Sequence, residues 1–490
     1  MRISDLAGQA ADTVRSVGAY MGDLVAPTVR LGVTGLSRSG KTVFITALVR
    51  NLVGAGRLPF FAAVAEGRIR SAILEPQPDD GVPRFDYEQH LTALGEEPPR
   101  WPEGTRRTSQ LRVTLEFEPV NTLRKLLGVR TLHLDIVDYP GEWLLDLALL
   151  DKSYDSWARE ALGLAREPAR GQIAQPWLEF IAGLDPAAPQ SEELARTGAR
   201  LFTTYLAAAR SEAHAFSCLP PGRFLMPGDL EGSPMLTFLP LDLPAWGAPR
   251  PGSLWAMMLR RYEAYRGLVV KPFFRDHFSR LDRQIVLVDV LAALNAGSAA
   301  VEDLKRALTD ILKAFRPGSN SVMSALLARR IDRIVFAATK ADHLHHTSHN
   351  RLEAVLGELT REAIVRAQFA GAEVKVLAMA ALRATREAEM RQAGAMLPCI
   401  LGLPLPGERV GNQIFDGSRE IAIFPGDLPA DPSAALERGQ APSQSGAEDV
   451  RFIRFRPPHL KPASVTGESE PLPHIRLDRA LDFLIGDRLQ

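Results

Sequence analysis

The chain has 490 residues, more than a single hydrophobic core ordinarily fills, and an apolar fraction of 46%, so it must fold as one elaborated domain or as a few packed units. Its 58 basic and 58 acidic side chains cancel, which excludes a protein whose main work is to coat nucleic acid or an anionic membrane. Cys218 and Cys399 are too few for a disulfide framework and too far apart for a zinc knuckle, so both read as buried small apolar residues in a reducing compartment.

Residues 3–25 carry Asp5, Asp12, Arg15 and Asp23 among apolar positions, the pattern of an amphipathic helix rather than a signal peptide. No later run reaches the ~20 apolar residues that span a bilayer, so a soluble, cytoplasmic chain is expected. Residues 29–34 read as a short β-branched strand ending at Gly35, and residues 42–53 as a helix bearing Phe44, Ile45, Leu48, Val49 and Leu52, stopped by Gly54 and Gly56. A stretch rich in proline and acid (Pro76, Pro78, Asp79, Asp80, Pro83, Pro98, Pro99, Pro102) is expected to run on as loop. Residues 110–118 and 131–137 alternate as strands able to pair antiparallel about a turn at 121–128. Helical spacing dominates 143–213 and returns at 253–270, with an irregular stretch rich in proline and glycine between. The apolar runs 285–290, 334–338 and 374–379 resemble buried parallel strands, separated by helices at 299–315, 322–329 and 351–368. Strands alternating with helices predict an α/β fold with a mostly parallel sheet flanked by helices. Residues 430–450, poor in large apolar groups, are expected to be a mobile loop, and 475–489 a closing amphipathic helix.

Gly35-Leu36-Ser37-Arg38-Ser39-Gly40-Lys41-Thr42 fits G-x-x-x-x-G-K-[ST], the Walker A phosphate loop. Its glycines let successive N–H groups curl around phosphate at a helix N-terminus, with Ser37, Arg38, Ser39 and Val43 contributing backbone. Lys41 is assigned to the β- and γ-phosphates and the Thr42 hydroxyl to Mg²⁺. Asp138-Tyr139-Pro140-Gly141 ends a strand where such a fold needs a carboxylate for Mg²⁺ and a glycine N–H for the γ-phosphate. Thr105, with Thr108 close behind, is the candidate second Mg²⁺ hydroxyl in the first switch. Glu142 stands where a water-orienting glutamine is common, and a solvent-facing helix start is the plainer reading of it. Thr339-Lys340-Ala341-Asp342 follows a strand, where the Asp342 carboxylate can accept two hydrogen bonds from guanine that adenine does not offer, with Lys340 lying along the base. Ala381 and Leu382, after the next strand, are candidates for a backbone contact to the base. Arg38, Arg106, Arg107 and Arg223 are candidate suppliers of positive charge to a transition state. His343, His345, His346 and His349 crowd after Asp342 without a readable tetrahedral set and are expected to be loop residues near the nucleotide.

With this loop, Asp135-Ile136-Val137-Asp138-Tyr139-Pro140-Gly141-Glu142-Trp143, the segments 221–224, 227–232 and 284–297, and residues 471–487, the sequence resembles the YcjX family of bacterial P-loop proteins over nearly its whole length. The resemblance implies a Ras-like core with a large, mainly helical insertion, binding of GTP and GDP and a link to stress responses; with the motifs above, a slow Mg²⁺-dependent GTPase acting as a nucleotide-state switch is expected. It also implies an effector protein, with a YcjF-type membrane protein as neighbour, and thus a cytoplasmic chain held near the inner membrane. The expected layout is an amphipathic helix at 1–25, core at 26–142 and 283–390, insertion at 143–282, and a C-terminal extension at 391–490. A P-loop ATPase or kinase, and a scaffold with negligible turnover, remain the alternatives.

Overall fold

The computed structural model describes residues 26–36, 38–54, 56–105, 107–120, 128–245, 247–313, 331–392, 395–410, 412–438, 452–460 and 471–490. The expected helices at 1–25 and 322–329, most of the turn at 121–128, and Ser37 and Arg106 lie outside them.

Seven strands, β1 (Thr28–Gly35), β2 (Ile69–Glu75), β3 (Ser109–Phe117), β4 (Arg130–Asp138), β5 (Arg283–Val288), β6 (Arg333–Ala338) and β7 (Glu373–Ala378), form one sheet in the order β2-β3-β4-β1-β5-β6-β7. β1 pairs in parallel with β4 and β5, and β6 and β7 continue in parallel. The β4–β3 and β3–β2 pairings are antiparallel, so β3 alone is reversed. The apolar runs of β5 and β6 arise because both sheet faces are covered: Ile285, Leu287, Val335 and Ala337 enter one core, and Val286, Val288, Ile334 and Phe336 the other.

The helices that shape the site are α1 (Lys41–Val53), α2 (Tyr87–Gly95), α3 (Glu192–Arg210), α4 (Ser298–Lys313), α5 (His349–Leu359) and α6 (Leu477–Ile485). α1 and α6 share the first core, where α6 buries Leu477, Leu481, Leu484 and Ile485 at about 1.5–3 kcal/mol each. α4 and α5 cover the other face. That second core does not stop at the sheet. It runs through Tyr139 and Trp143 into the helices between β4 and β5, Tyr154–Ala165, Pro168–Ala182, α3 and Leu254–Tyr265. There Trp157 stacks on Tyr262 with centroids 5.2 Å apart and Trp177 on Tyr205 at 5.3 Å.

Two expectations need correction, and two strand regions had no expected element. The stretch from Pro76 to Pro102, expected as loop, holds α2, and β2 precedes it. β2 extends the sheet edge with no fully buried position, so its side chains lack the alternation that marks a strand. The C-terminal extension holds a three-stranded antiparallel sheet, β8 (Arg386–Gln392), β9 (Ala395–Gly402) and β10 (Ile421–Ile423), over a small core of Ile400, Phe415, Ile453 and Phe455. A helix occupies Pro432–Arg438 in the stretch expected as mobile loop, and residues 439–451 lie outside the described residues. Among the described residues no helix is long and apolar enough to cross a membrane.

One buried ion pair fastens the helices after β4 to the sheet. Arg170 meets Asp303 on α4, each side chain 2% exposed, and the same carboxylate accepts the N–H groups of Ser217 and Cys218 at 2.5 and 2.8 Å. Removing one partner strands the other's charge in the core. Asp303→Ala should therefore destabilise the chain by about 3–5 kcal/mol, read from urea unfolding, far more than an exposed pair would cost.

Candidate nucleotide-binding site

β1 and β4 are parallel neighbours, so the loops at their carboxyl ends emerge side by side. In the first loop, Arg38 and Gly40 take positive φ (63° and 85°), which curls the backbone before α1 begins at Lys41. The Lys41 ammonium folds back over the loop and donates to the Gly35 carbonyl at 3.0 Å. The buried Ser39 hydroxyl, inside the same curl, has no partner among the described residues. Arg38 points outward to Glu212 at 3.4 Å, and Val43 packs against the core below α1.

In the second loop Asp138 is 1% exposed. Its Oδ2 accepts from the Thr105 hydroxyl at 2.5 Å, while Oδ1 has no partner among the described residues. A buried carboxylate oxygen left open beside the Thr105 hydroxyl and Lys41 fits a bound divalent cation. Thr42, Thr105 and Asp138 are the residues that would hold Mg²⁺. Among the described residues Thr108 is not seen to bond the Asp138 carboxylate. Gly141 passes so close to the P-loop that a Cβ there would lie 1.8 Å from the Gly35 oxygen.

In the Thr339–Asp342 turn, Thr339 donates its N–H to the Val288 carbonyl at 2.9 Å, and Lys340, at φ 60°, forms an ion pair with Asp289. Asp342 is 4% exposed, and its carboxylate accepts the Ala384 N–H at 2.8 Å. The Thr385 hydroxyl donates to the Asp342 carbonyl. Ala381 is half-buried and Leu382 lies in the core, so the group that reaches Asp342 comes from two residues farther on.

The model of the YcjX-like family, DUF463, matches residues 29–489. The chain belongs to the YcjX-like family. It is 39% identical over 474 residues to the "Ras-like GTPase YcjX" of Escherichia coli (strain K12), covering 94% of this chain and 96% of that protein. It is 33% identical over 485 residues to the protein of the same name from Shewanella oneidensis, covering 94% and 95%. The sheet order and the helix layers of this YcjX-like chain are those of a Ras-like core.

Glu142 corrects the plainer reading of it: the side chain is buried, and its carboxylate accepts from Arg210 at 2.8 Å. Arg210 lies in the last turn of α3, 68 residues away, and nothing local marks it. Asp289 and Ala384 were missed too. Asp289 does close an apolar strand, the same signal that identified Asp138. Arg223 lies over Trp143 with its guanidinium 3.2 Å from the ring centroid and pairs with Asp229, so it braces the helix after Gly141. Arg107 is exposed near Thr105. Beside the P-loop a cavity of about 240 Å³ is lined by Leu36, Arg38, Glu142, Arg210, Asp289 and Lys340, among others. Of the histidines, His343 is buried edge-on to Phe455, and the His349 ring binds the Ala341 carbonyl at 2.8 Å.

Burial pushes the Asp138 carboxyl from 3.8 up to about 6, against the pull of Lys41 and the Thr105 hydrogen bond. Between these values the folded chain keeps a proton that the unfolded chain has released, so the stability this group allows is present at low pH and lost as pH rises through 6. In EDTA, Asp138→Asn should unfold at a higher temperature than wild type above pH 7, with the gap closing towards about pH 4. Mg²⁺ with nucleotide should reverse that order. A gap that does not change with pH would show that Asp138 ionises normally.

Proposed function

We propose that this chain binds GTP and GDP with Mg²⁺ and hydrolyses GTP slowly, as a nucleotide-state switch. The observation that carries the reading is the open, buried Oδ1 of Asp138 beside Lys41 and the Thr105 hydroxyl at the mouth of the P-loop. When bound, Mg²⁺ supplies charge neutralisation between the outer phosphates. The protein supplies the rest. The P-loop backbone N–H groups would hold phosphate, Lys41, now on the Gly35 carbonyl, would serve the β- and γ-phosphates, and Thr42 and Thr105 would offer hydroxyl oxygens to the cation. The Gly141 N–H reports the γ-phosphate. The Asp342 carboxylate selects guanine, and Lys340 lies along the base. The names of the two relatives support the same reading.

A scaffold with negligible turnover is the second reading, favoured by one observation: Glu142 is held by Arg210 and is not free to orient water. The switch reading extends to an effector that senses the helices between β4 and β5, with a YcjF-type membrane protein as a candidate and a stress response as the setting. Crosslinking of such a partner should then differ between the GTP and GDP forms.

Labelled GDP in Mg²⁺, competed with GTP, GDP, ATP and ADP, tests the base assignment. Guanine nucleotides should win on wild type, and Asp342→Ala should lose about 1–3 kcal/mol of that preference. Equal competition by ATP would replace the GTPase reading with an ATPase. For catalysis, Arg210→Ala should slow single-turnover GTP hydrolysis by roughly tenfold or more with GDP affinity retained, if the guanidinium moves onto developing phosphate charge. A faster reaction would instead make the ion pair a lock on Glu142.

A further inference from the structure

Outside the nucleotide site, two histidines that follow Asp342 meet a glutamate from β8. His346 Nδ1 lies 2.9 Å from Glu387 Oε2, and His345 Nε2 lies 4.0 Å from the same oxygen. One ligand atom from each of the three residues falls within 4.8 Å of the others. Ligands of a tetrahedral ion with metal–ligand bonds near 2.0–2.1 Å sit roughly 3.3 Å apart, so modest rotation of the imidazoles would close the set. Supporting contacts are already in place. The His345 Nδ1 is 3.0 Å from the Thr347 hydroxyl, and in the tautomer that donates to it, Nε2 is left as the basic nitrogen. The other carboxylate oxygen of Glu387 accepts the His346 backbone N–H at 3.2 Å, with Arg383 its cationic neighbour at 3.9 Å. The side chains grade from 11% exposed at His345 to 62% at His346, so the site is anchored on one side and open to water on the other.

We propose that His345, His346 and Glu387 bind a divalent transition-metal ion of the zinc class. Two imidazoles and a carboxylate suit zinc, cobalt or nickel rather than Mg²⁺, which prefers an all-oxygen octahedron. Three protein ligands leave a coordination position for water. The placement gives the ion a consequence. His345 is three residues beyond Asp342, and Glu387 is three beyond Ala384, whose N–H binds the Asp342 carboxylate. An ion here would bolt together the two segments that form the base pocket, and so slow nucleotide release. That consequence rests on the guanine-nucleotide reading, whereas the ion site itself does not.

The test uses the full-length, tag-free chain stripped with EDTA and titrated with Co²⁺ in the absence of nucleotide, alongside Glu387→Gln and the double variant His345→Ala/His346→Ala. Wild type should take up a single Co²⁺ per chain, with the intense visible absorption of four- or five-coordinate cobalt, and lose it to added Zn²⁺. Both variants should lose the band while keeping the thermal unfolding of metal-free wild type. Glu387→Gln preserves the shape of the carboxylate, which guards against a folding defect in the double variant. No uptake by wild type, or equal uptake by the variants, would overturn the proposal. GDP release in Mg²⁺ is then followed with and without Zn²⁺. Slower release in wild type alone supports the bolt, and unchanged release overturns it. Failure to bind GDP at all would strike the nucleotide reading, and the cobalt result would be unaffected.

Discussion

The backbone at Gly141 runs against the Gly35 carbonyl with no room for even a methyl group. This contact follows from strand order: β1 and β4 are parallel neighbours, so the P-loop and the Asp138–Gly141 turn leave the sheet at the same edge and must share its space. The same crowding buries Asp138, lifts its carboxyl to about 6 and leaves one of its oxygens without a partner among the described residues.

The turn is also the first residue run of a second body of structure. Behind Gly141, Glu142 is held by Arg210, Trp143 lies under Arg223, and buried Asp146 accepts the Tyr265 hydroxyl at 2.6 Å and the Gly222 N–H at 2.7 Å. Each partner belongs to the helical region between β4 and β5, whose aromatic core is continuous with the sheet face. Packed interiors transmit small displacements because they have few voids to absorb them. Gly141 thus stands where the P-loop adjoins the packed helices between β4 and β5.

The C-terminal chain ties the loop after β7 to the P-loop helix. Asn51 on α1 donates to the Leu472 carbonyl and accepts the Leu472 N–H, while Ile475 exchanges two backbone hydrogen bonds with Ala380. Trp101, four residues before Thr105, donates to the Phe455 carbonyl, and Phe455 packs edge-on against His343. The P-loop helix, the segment before Thr105 and the loops after β6 and β7 are thereby cross-braced by residues distant in sequence.

Much of this was legible from the chain alone because it is written in local terms. Glycine spacing marks the P-loop, and two-sided apolar runs mark β5 and β6. Asp138 closes β4, and Asp342 stands four residues beyond β6. α6 announces itself by helical period, since one stripe must meet a core. β2 was not legible, because an edge strand with half-exposed side chains carries little hydrophobic signal. The small sheet β8–β10 has only a modest core of its own.

Motif chemistry is determined by the sequence because a phosphate cradle, a strand-end carboxylate and a glycine turn are built from residues within a few positions of one another. Arg210 on Glu142, Thr105 rather than Thr108 on Asp138, and Ala384 on Asp342 were decided only by the tertiary structure. Their partners are distant in sequence or chosen among near neighbours, and the pairing is set by which strands adjoin and which buried charges must find a counterpart.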